Sequence, residues 1–268
     1  MPDWGWGYLQ AIILGVIQGI AEFLPISSSG HLVIINDLMH RMSGQQLDTD
    51  GHLLNVALHV GTLCSILWVY FSDLKLLLHK PRVCLAILVA TLPLVLIALT
   101  PLKDSIEDFF KTPMIAGCGL LVTAVLLVLG QRMERNKYSL DKMPKWSGCL
   151  IGLFQAVALV PGISRSGSTI AGGLLMGLRR NDAANFSFFI AIPAIFGAAV
   201  LTAKDIWEGN AGGNAVPELI VGMLTAFFVG LISLRWLLRL MSQRKLHWFA
   251  CYCTLVGLAT ILWQSLLV

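Results

Sequence analysis

The protein has 268 residues, of which 56% are hydrophobic and only 13% are charged. Water-soluble domains carry roughly 25% charged and about 45 to 50% apolar residues, so this composition excludes an ordinary soluble protein and indicates a lipid environment. A net charge of only +4 gives no reason to expect nucleic acid as a partner. The six cysteines lie in apolar runs without Cys-X-X-Cys spacing, which favours packing roles over disulfides or a zinc site.

The first apolar stretch, residues 8–24, is short and glycine-containing, unlike a simple membrane span. It ends at Pro25 and a serine-rich loop, after which only about ten apolar residues follow, too few to complete a crossing at about 1.5 Å per residue. Helix, polar loop and half-helix together predict a re-entrant hairpin. The N-terminus lacks the basic region and cleavage site of a signal peptide, so we expect this segment in the mature protein.

The next part of the chain contains long apolar segments that predict membrane-spanning helices. A second short stretch, at 146–160, ends at Pro161 and another serine-rich loop, which repeats the hairpin pattern. The sequence therefore predicts an all-α integral membrane protein with six transmembrane helices and two re-entrant helical hairpins. The six predicted spans are residues 53–71, 83–102, 114–130, 183–203, 219–238 and 248–267.

Basic residues are concentrated in alternate loops. Lys and Arg follow the first, third and fifth spans and precede the fourth, whereas the loops at 103–112 and 204–218 carry most of the acidic residues. Because cytoplasmic loops carry the excess of Lys and Arg, this distribution predicts basic loops inside and both termini outside. The first hairpin then enters from the outer face and the second from the cytoplasmic face.

An offset of 137 positions aligns the two hairpins and superposes Gly15 on Gly152 and Ser27 on Ser164. Each half contains one hairpin and three spans, and because three is odd, the halves must be inserted in opposite orientations. The sequence therefore predicts one membrane domain, an inverted-topology repeat with a site near the midplane. The domain covers residues 1–268, with repeat 1 at approximately 1–130, repeat 2 at approximately 146–268, and a basic cytoplasmic loop at 131–145 between them.

Both hairpin loops end in serines and a glycine where a half-helix begins. Helix N-termini bind anions, and Arg165 in the second loop is suited to bidentate phosphate contact, so two adjacent loops would accept a phosphate or diphosphate. Glu22 and His31 in the first loop are candidate bases that would activate a serine hydroxyl. The alternative is structural, with the serines as helix caps and Gln18 and Gln155 as helix-bridging residues.

The motif QGIAEFLPISSSGH at residues 18–31 resembles the first signature of the bacterial undecaprenyl-diphosphatase family, also called bacitracin-resistance proteins. PGISRSGST at 161–169 resembles the second signature, and NFSFFIAIPAIFGA at 185–198 is also similar. The resemblance implies a multi-pass enzyme of the bacterial plasma (inner) membrane whose site faces the outer, periplasmic side. It would remove the terminal phosphate of undecaprenyl diphosphate, which recycles the carrier lipid for peptidoglycan synthesis and confers bacitracin resistance.

The resemblance also implies residue roles. Ser28 would be the nucleophile, Glu22 and His31 the acid/base pair, and Arg165 the phosphate clamp. The family depends on a divalent cation, Mg²⁺ or Ca²⁺, which Glu22 and Gln18 would bind, although Gln18 is neutral where many members have Glu. The residues that would line the substrate site are Ser27, Ser29, Gly30, Ser164, Ser166, Gly167 and Thr169.

Function and assembly both have alternatives at this point. Inverted repeats and broken helices are also typical of secondary transporters, so a carrier or flippase for an anionic substrate is the alternative function. The expected partners are an isoprenoid lipid diphosphate and the bilayer, and a homodimer is one alternative for the oligomeric state. His59 lies in the first span where the resemblance leads us to expect Gln, and we interpret it as a packing or hydrogen-bonding residue and not as a ligand.

Overall fold

The computed structural model describes residues 3–43, 52–100, 112–207 and 216–266. These residues form eleven α-helices, a 3₁₀ turn at Leu140–Lys142 and one isolated parallel bridge, which confirms the all-α class. Most of the two predicted acidic loops, at 103–112 and 204–218, lies outside the described residues. The helices are α1 (Asp3–Ala21), α2 (Ser28–Ser43), α3 (His52–Val69), α4 (Phe71–Leu77), α5 (Pro81–Ala98), α6 (Pro113–Arg132), α7 (Ser147–Val157), α8 (Arg165–Leu175), α9 (Arg180–Trp207), α10 (Val216–Ser242) and α11 (Leu246–Ser265).

Five of the described helices, α5, α6, α9, α10 and α11, are long and apolar enough to cross a membrane. The pair α3 and α4 meets the same test together, but it bends by 75° between Val69 and Phe71. Tyr70 lies at this bend, and its buried side chain donates a hydrogen bond of 2.9 Å to Asn185 Oδ1 on α9. Each of the six predicted spans is therefore mostly helical over its described residues, and the short α4 was not expected.

Each predicted hairpin is a helix pair joined by a short turn, α1 with α2 and α7 with α8. We call residues 22–31 the first elbow and residues 161–169 the second elbow. A serine hydroxyl caps the second helix of each hairpin. Ser27 Oγ accepts from the Gly30 backbone N–H at 3.3 Å, and Ser164 Oγ accepts from the Gly167 N–H at 3.0 Å.

The first helix of each hairpin packs against the other half of the chain. α1 packs mainly on α10 and α7 mainly on α5, while the last spans α6 and α11 pack on each other. Glycines permit these close approaches, since a Cβ on Gly15 would lie 2.9 Å from Gly222 O and one on Gly152 would lie 2.5 Å from Ala90 O. This packing is the reciprocal pattern that two related halves would produce, and the repeat and its boundaries stay predictions.

Ion pairs gather the basic segments at one end of the helix bundle. Lys80 Nζ lies 3.0 Å from Asp141 Oδ1. Glu134 accepts from Arg180, and its Oε1 lies 3.4 Å from Arg244 Nη2. These contacts join loops from both halves of the chain, as a positive-inside topology requires. The assignment of this end to the cytoplasm stays a prediction.

Candidate active site

The two elbows meet inside the bundle through their backbones. A Cβ on Gly30 would lie 2.7 Å from Gly162 Cα, so only glycine permits this approach. Gly162 itself has φ +90°, and a Cβ there would lie 2.1 Å from Ala116 O on α6. Ser166 Oγ adds a direct link by donating to Leu24 O at 3.3 Å. The structure thus brings together the two loops that the sequence singled out.

Glu22 is the charged centre of the first elbow and is 8% exposed. Its backbone N–H donates to Gln18 O at 2.9 Å, so the two side chains lie one helical turn apart on the same face. The carboxylate accepts hydrogen bonds from Gln18 Nε2 at 3.1 Å and from Arg165 of the second elbow. Because a buried carboxylate needs a partner, the two elbows are joined by charge as well as by packing.

Arg165 is the first residue of α8, and its guanidinium contacts the first elbow and α9. Its Nη2 donates to Glu22, next to the end of α1, and its Nη1 lies 3.4 Å from Ser187 O on α9. Thr169 Oγ1 donates to Arg165 O at 2.8 Å and lies 2.6 Å from Ser187 Oγ. The guanidinium therefore sits at the N-terminus of α8 with a fixed direction, an arrangement suited to binding an anion.

Ser28, the first residue of α2, is the serine in this elbow that faces the carboxylate. Its Oγ donates to Glu22 Oε2 at 3.4 Å, and the residue is half-buried. The neighbouring hydroxyls of Ser27 and Ser29 lie 3.3 Å from each other, and Ser27 Oγ also caps α2. Of the three consecutive serines, Ser28 thus has the geometry of a nucleophile beside a base.

Both ring nitrogens of His31 are engaged by other groups. Nδ1 lies 2.7 Å from Ser27 O, and Nε2 lies 2.7 Å from Tyr252 Oη on α11. The sequence left Glu22 and His31 as alternative bases for the serine. Since Glu22 is the one within hydrogen-bond distance of the Ser28 hydroxyl, the geometry favours the carboxylate.

Four residues of the second elbow are buried and bonded to protein atoms, namely Ser164, Ser166, Gly167 and Thr169. Ser164 N–H donates to Thr123 Oγ1 at 2.9 Å, and Ser164 Oγ lies 3.2 Å from Ser166 Oγ. Thr169 is bonded to α9, and Gly167 donates to the Ser164 cap. These four predicted substrate-binding residues hold the elbow in shape, and their contact with substrate stays a prediction.

His59 on α3 also belongs to this site, although the sequence indicated no function for it. Its Nε2 lies 3.9 Å from Glu22 Oε2, and its Nδ1 lies 2.8 Å from Asn55 O. The signal that could have indicated a functional role was the presence of an ionisable residue within an apolar span. The sequence carried no such signal for Ser187 or Tyr252. Ser187 contacts the second elbow and Tyr252 contacts His31 only because distant helices pack together.

The first elbow offers oxygen ligands of the kind that Mg²⁺ and Ca²⁺ prefer. Gln18 Oε1 is buried without a hydrogen-bond partner and lies one helical turn from the Glu22 carboxylate. Within the described ranges, no group of three or more His, Cys, Asp or Glu side chains is placed to hold a metal ion. The residues therefore fit a cation whose remaining ligands come from substrate phosphate and water.

The sequence is similar to those of known proteins over nearly its whole length. An undecaprenyl-diphosphatase of Rhodopirellula baltica is 44% identical over 256 residues, which cover 95% of this chain and 97% of that protein. An undecaprenyl-diphosphatase of Alkaliphilus metalliredigens is 36% identical, covering 96% and 98%. Undecaprenyl-diphosphatase 4 of Bacillus thuringiensis (strain Al Hakam) is 38% identical, covering 96% and 97%. The family model of the bacitracin resistance protein BacA matches residues 11–259, which include both elbows, and the chain belongs to that family.

Proposed function

We infer that this protein hydrolyses undecaprenyl diphosphate to undecaprenyl phosphate and inorganic phosphate. The observation that carries the inference is the contact of Glu22 and Arg165 across the two elbows, in a chain 44% identical to a named undecaprenyl-diphosphatase. The reaction regenerates a carrier lipid for cell-wall synthesis, and it gives bacitracin resistance. The protein is thus a multi-pass membrane phosphatase, which we place in the bacterial plasma membrane with its site open to the outer side.

The lipid substrate keeps its tail in the bilayer while its headgroup enters the site. The helices expose large apolar side chains to their surroundings, among them Leu255 and Leu258 of α11. Polar groups are concentrated instead at the elbows, where Ser28 and Arg165 converge. The isoprenoid chain therefore stays among apolar surfaces, and only the diphosphate exchanges water for protein contacts.

In the first chemical step, Ser28 Oγ attacks the terminal phosphorus of the diphosphate. The bond from that phosphorus to the bridging oxygen breaks, and undecaprenyl phosphate leaves. Glu22 Oε2, 3.4 Å from the attacking oxygen, accepts the hydroxyl proton. In the second step a water attacks the phosphorus of the phosphoserine and the bond from phosphorus to Ser28 Oγ breaks. Glu22 returns its proton to that oxygen, and the water's protons leave with inorganic phosphate.

Stabilisation of charge on the transferring phosphoryl group comes from the second elbow. Phosphoryl transfer requires little covalent help beyond positioning and electrostatic stabilisation. The Arg165 Nη1 contact with Ser187 O is long, at 3.4 Å, so a phosphate oxygen can replace that carbonyl as the acceptor. The N-termini of α2 and α8 add backbone N–H groups on either side.

A divalent cation completes the proposal. Glu22 and Gln18 would hold Mg²⁺ or Ca²⁺ together with oxygens of the diphosphate, since the protein alone supplies only part of the ligand set. Bound there, the cation would neutralise charge on the phosphate oxygens. Because substrate completes the site, we expect the affinity for the cation to rise when a lipid diphosphate is present.

Phosphate release from undecaprenyl diphosphate by the purified protein in detergent tests this function. We expect release by the wild type with Mg²⁺ or Ca²⁺, loss of release with a chelator, and recovery when the cation is restored. Movement of the lipid across liposome membranes with no phosphate release under any of these conditions would instead establish the carrier.

Association into a homodimer stays a prediction. A measurement of the mass of the protein in detergent tests it.

A further inference from the structure

A chain of hydrogen bonds runs from the surface of α11 to the turn before the nucleophile. Tyr252 Oη lies 2.7 Å from His31 Nε2, and His31 Nδ1 lies 2.7 Å from Ser27 O. The backbone N–H of His31 donates to the same carbonyl at 3.2 Å. The Tyr252 and His31 rings are nearly parallel, with an interplanar angle of 7°. The imidazole is therefore fixed at both of its nitrogens.

The direction of these bonds follows from the chemistry of the carbonyl. Ser27 O only accepts, so His31 Nδ1 carries a proton and donates it to this bond. In the neutral ring Nε2 is then the acceptor, and Tyr252 O–H is the donor. With both positions used, the ring has no nitrogen left for the Ser28 hydroxyl, which is bonded to Glu22.

Ser27 needs this support because its backbone is unusual. Its φ of +68° is in the left-handed region, which residues other than glycine rarely adopt and which the surrounding structure must stabilise. The same residue caps α2 through its hydroxyl and immediately precedes Ser28. A change in the Ser27 backbone would therefore rotate the first turn of α2 and move the Ser28 hydroxyl relative to Glu22.

We propose that His31 and Tyr252 are positioning residues, which together hold Ser27 in its left-handed conformation and so aim Ser28. Tyr252 is thereby a further residue of the phosphatase, contributed by the last helix of the chain. The inference rests on the proposed function, because its measure is turnover of the lipid diphosphate. It also changes the role of His31 from proton carrier to a side chain that shapes the nucleophile's turn.

The first test removes the Tyr252 hydroxyl alone. Tyr252→Phe should lower kcat about five-fold, the effect of one lost hydrogen bond, and leave KM within about two-fold, since the hydroxyl is already bonded to His31. The matched control is Tyr70→Phe, which removes a buried hydroxyl bonded to Asn185 at 2.9 Å, at the bend between α3 and α4. It should lower the thermal unfolding midpoint without a change in kcat. Equal kcat values for Tyr252→Phe and the wild type would overturn the proposal.

The second test separates positioning by His31 from proton transfer. His31→Asn keeps an N–H near the place of Nδ1 but cannot carry protons, so it should retain activity within about ten-fold of the wild type. His31→Ala should lose about a hundred-fold. Addition of Tyr252→Phe to His31→Asn should cost nothing further, because the partner nitrogen is already absent.

Equal losses for His31→Asn and His31→Ala, with both proteins folded by thermal unfolding, would refute the positioning role and establish a proton carrier. An additive effect of Tyr252→Phe in the His31→Asn background would refute the coupling. These outcomes are ratios of the kcat values of the variants to that of the wild type. Failure of the proposed function has a different signature, since the wild type itself would then release no phosphate.

Discussion

The substitution Gly30→Ala tests whether contact of the two elbows creates the site. The added Cβ would lie 2.7 Å from Gly162 Cα and 2.9 Å from Gly162 N, whereas ordinary contacts begin at 3.4 Å. Both neighbours are backbone atoms, so the elbows must separate by about 0.7 Å to relieve the clash. We expect a loss of about 1 to 3 kcal/mol in unfolding free energy. Separation of Ser28 from Arg165 on this scale should lower kcat about 10- to 100-fold.

Phosphate release and thermal unfolding in detergent measure the two effects of this substitution. The matched control is Gly197→Ala on α9, where a Cβ would meet no atom within 4 Å. It should keep wild-type turnover and unfold at the same temperature or slightly higher, because alanine is the better helix former. Wild-type turnover in Gly30→Ala would refute the reasoning, since the elbows would then tolerate separation without loss of catalysis.

Three further substitutions test individual side chains, each by phosphate release with the unfolding midpoint as a control for folding. Ser28→Ala should abolish turnover without a change in the unfolding midpoint. Turnover of this variant at the wild-type rate would exclude Ser28 as the nucleophile. Arg165→Lys should lower kcat at least about 100-fold, because a point charge cannot bond Glu22 and a phosphate as a planar fork does; near-normal kinetics would reject the clamp. His59→Leu should lower kcat about two- to five-fold through loss of the imidazole that lies 3.9 Å from Glu22 Oε2, and no change would return His59 to a packing role.

The features predicted correctly from the sequence are those set by local composition. Long apolar segments fix the spans, and the prolines followed by serines fix the two hairpin turns. The aligned pair Gly15 and Gly152 also has matching surroundings, since each packs closely on a helix of the other half. Glu22 and Arg165 were identifiable individually, because a charge within an apolar segment is costly unless it has a partner.

The remaining features depend on distances between helices that local patterns do not encode. The bend after α3 lies at Tyr70, whose hydroxyl is bonded to α9, whereas the sequence around Tyr70 predicts a continuous apolar span. The role of His31 likewise depends on Tyr252, which is 221 positions away in the chain. A histidine beside a serine motif is typical of a base, and only the bonds at its two nitrogens indicate otherwise.

The pairing of Glu22 with Arg165 links catalysis to folding. Each residue lies on a different hairpin, so each charge gains its partner only when the two halves pack. Removal of one partner from such a buried pair typically costs about 3 to 5 kcal/mol, because the other charge stays behind unpaired. Loss of activity in Glu22→Gln or Arg165→Ala would thus combine damaged chemistry with a damaged fold.

Ser28 is different, since its hydrogen bond is long at 3.4 Å and its side chain is half-buried. Its substitution is therefore the change that isolates the chemical step from the assembly of the elbows.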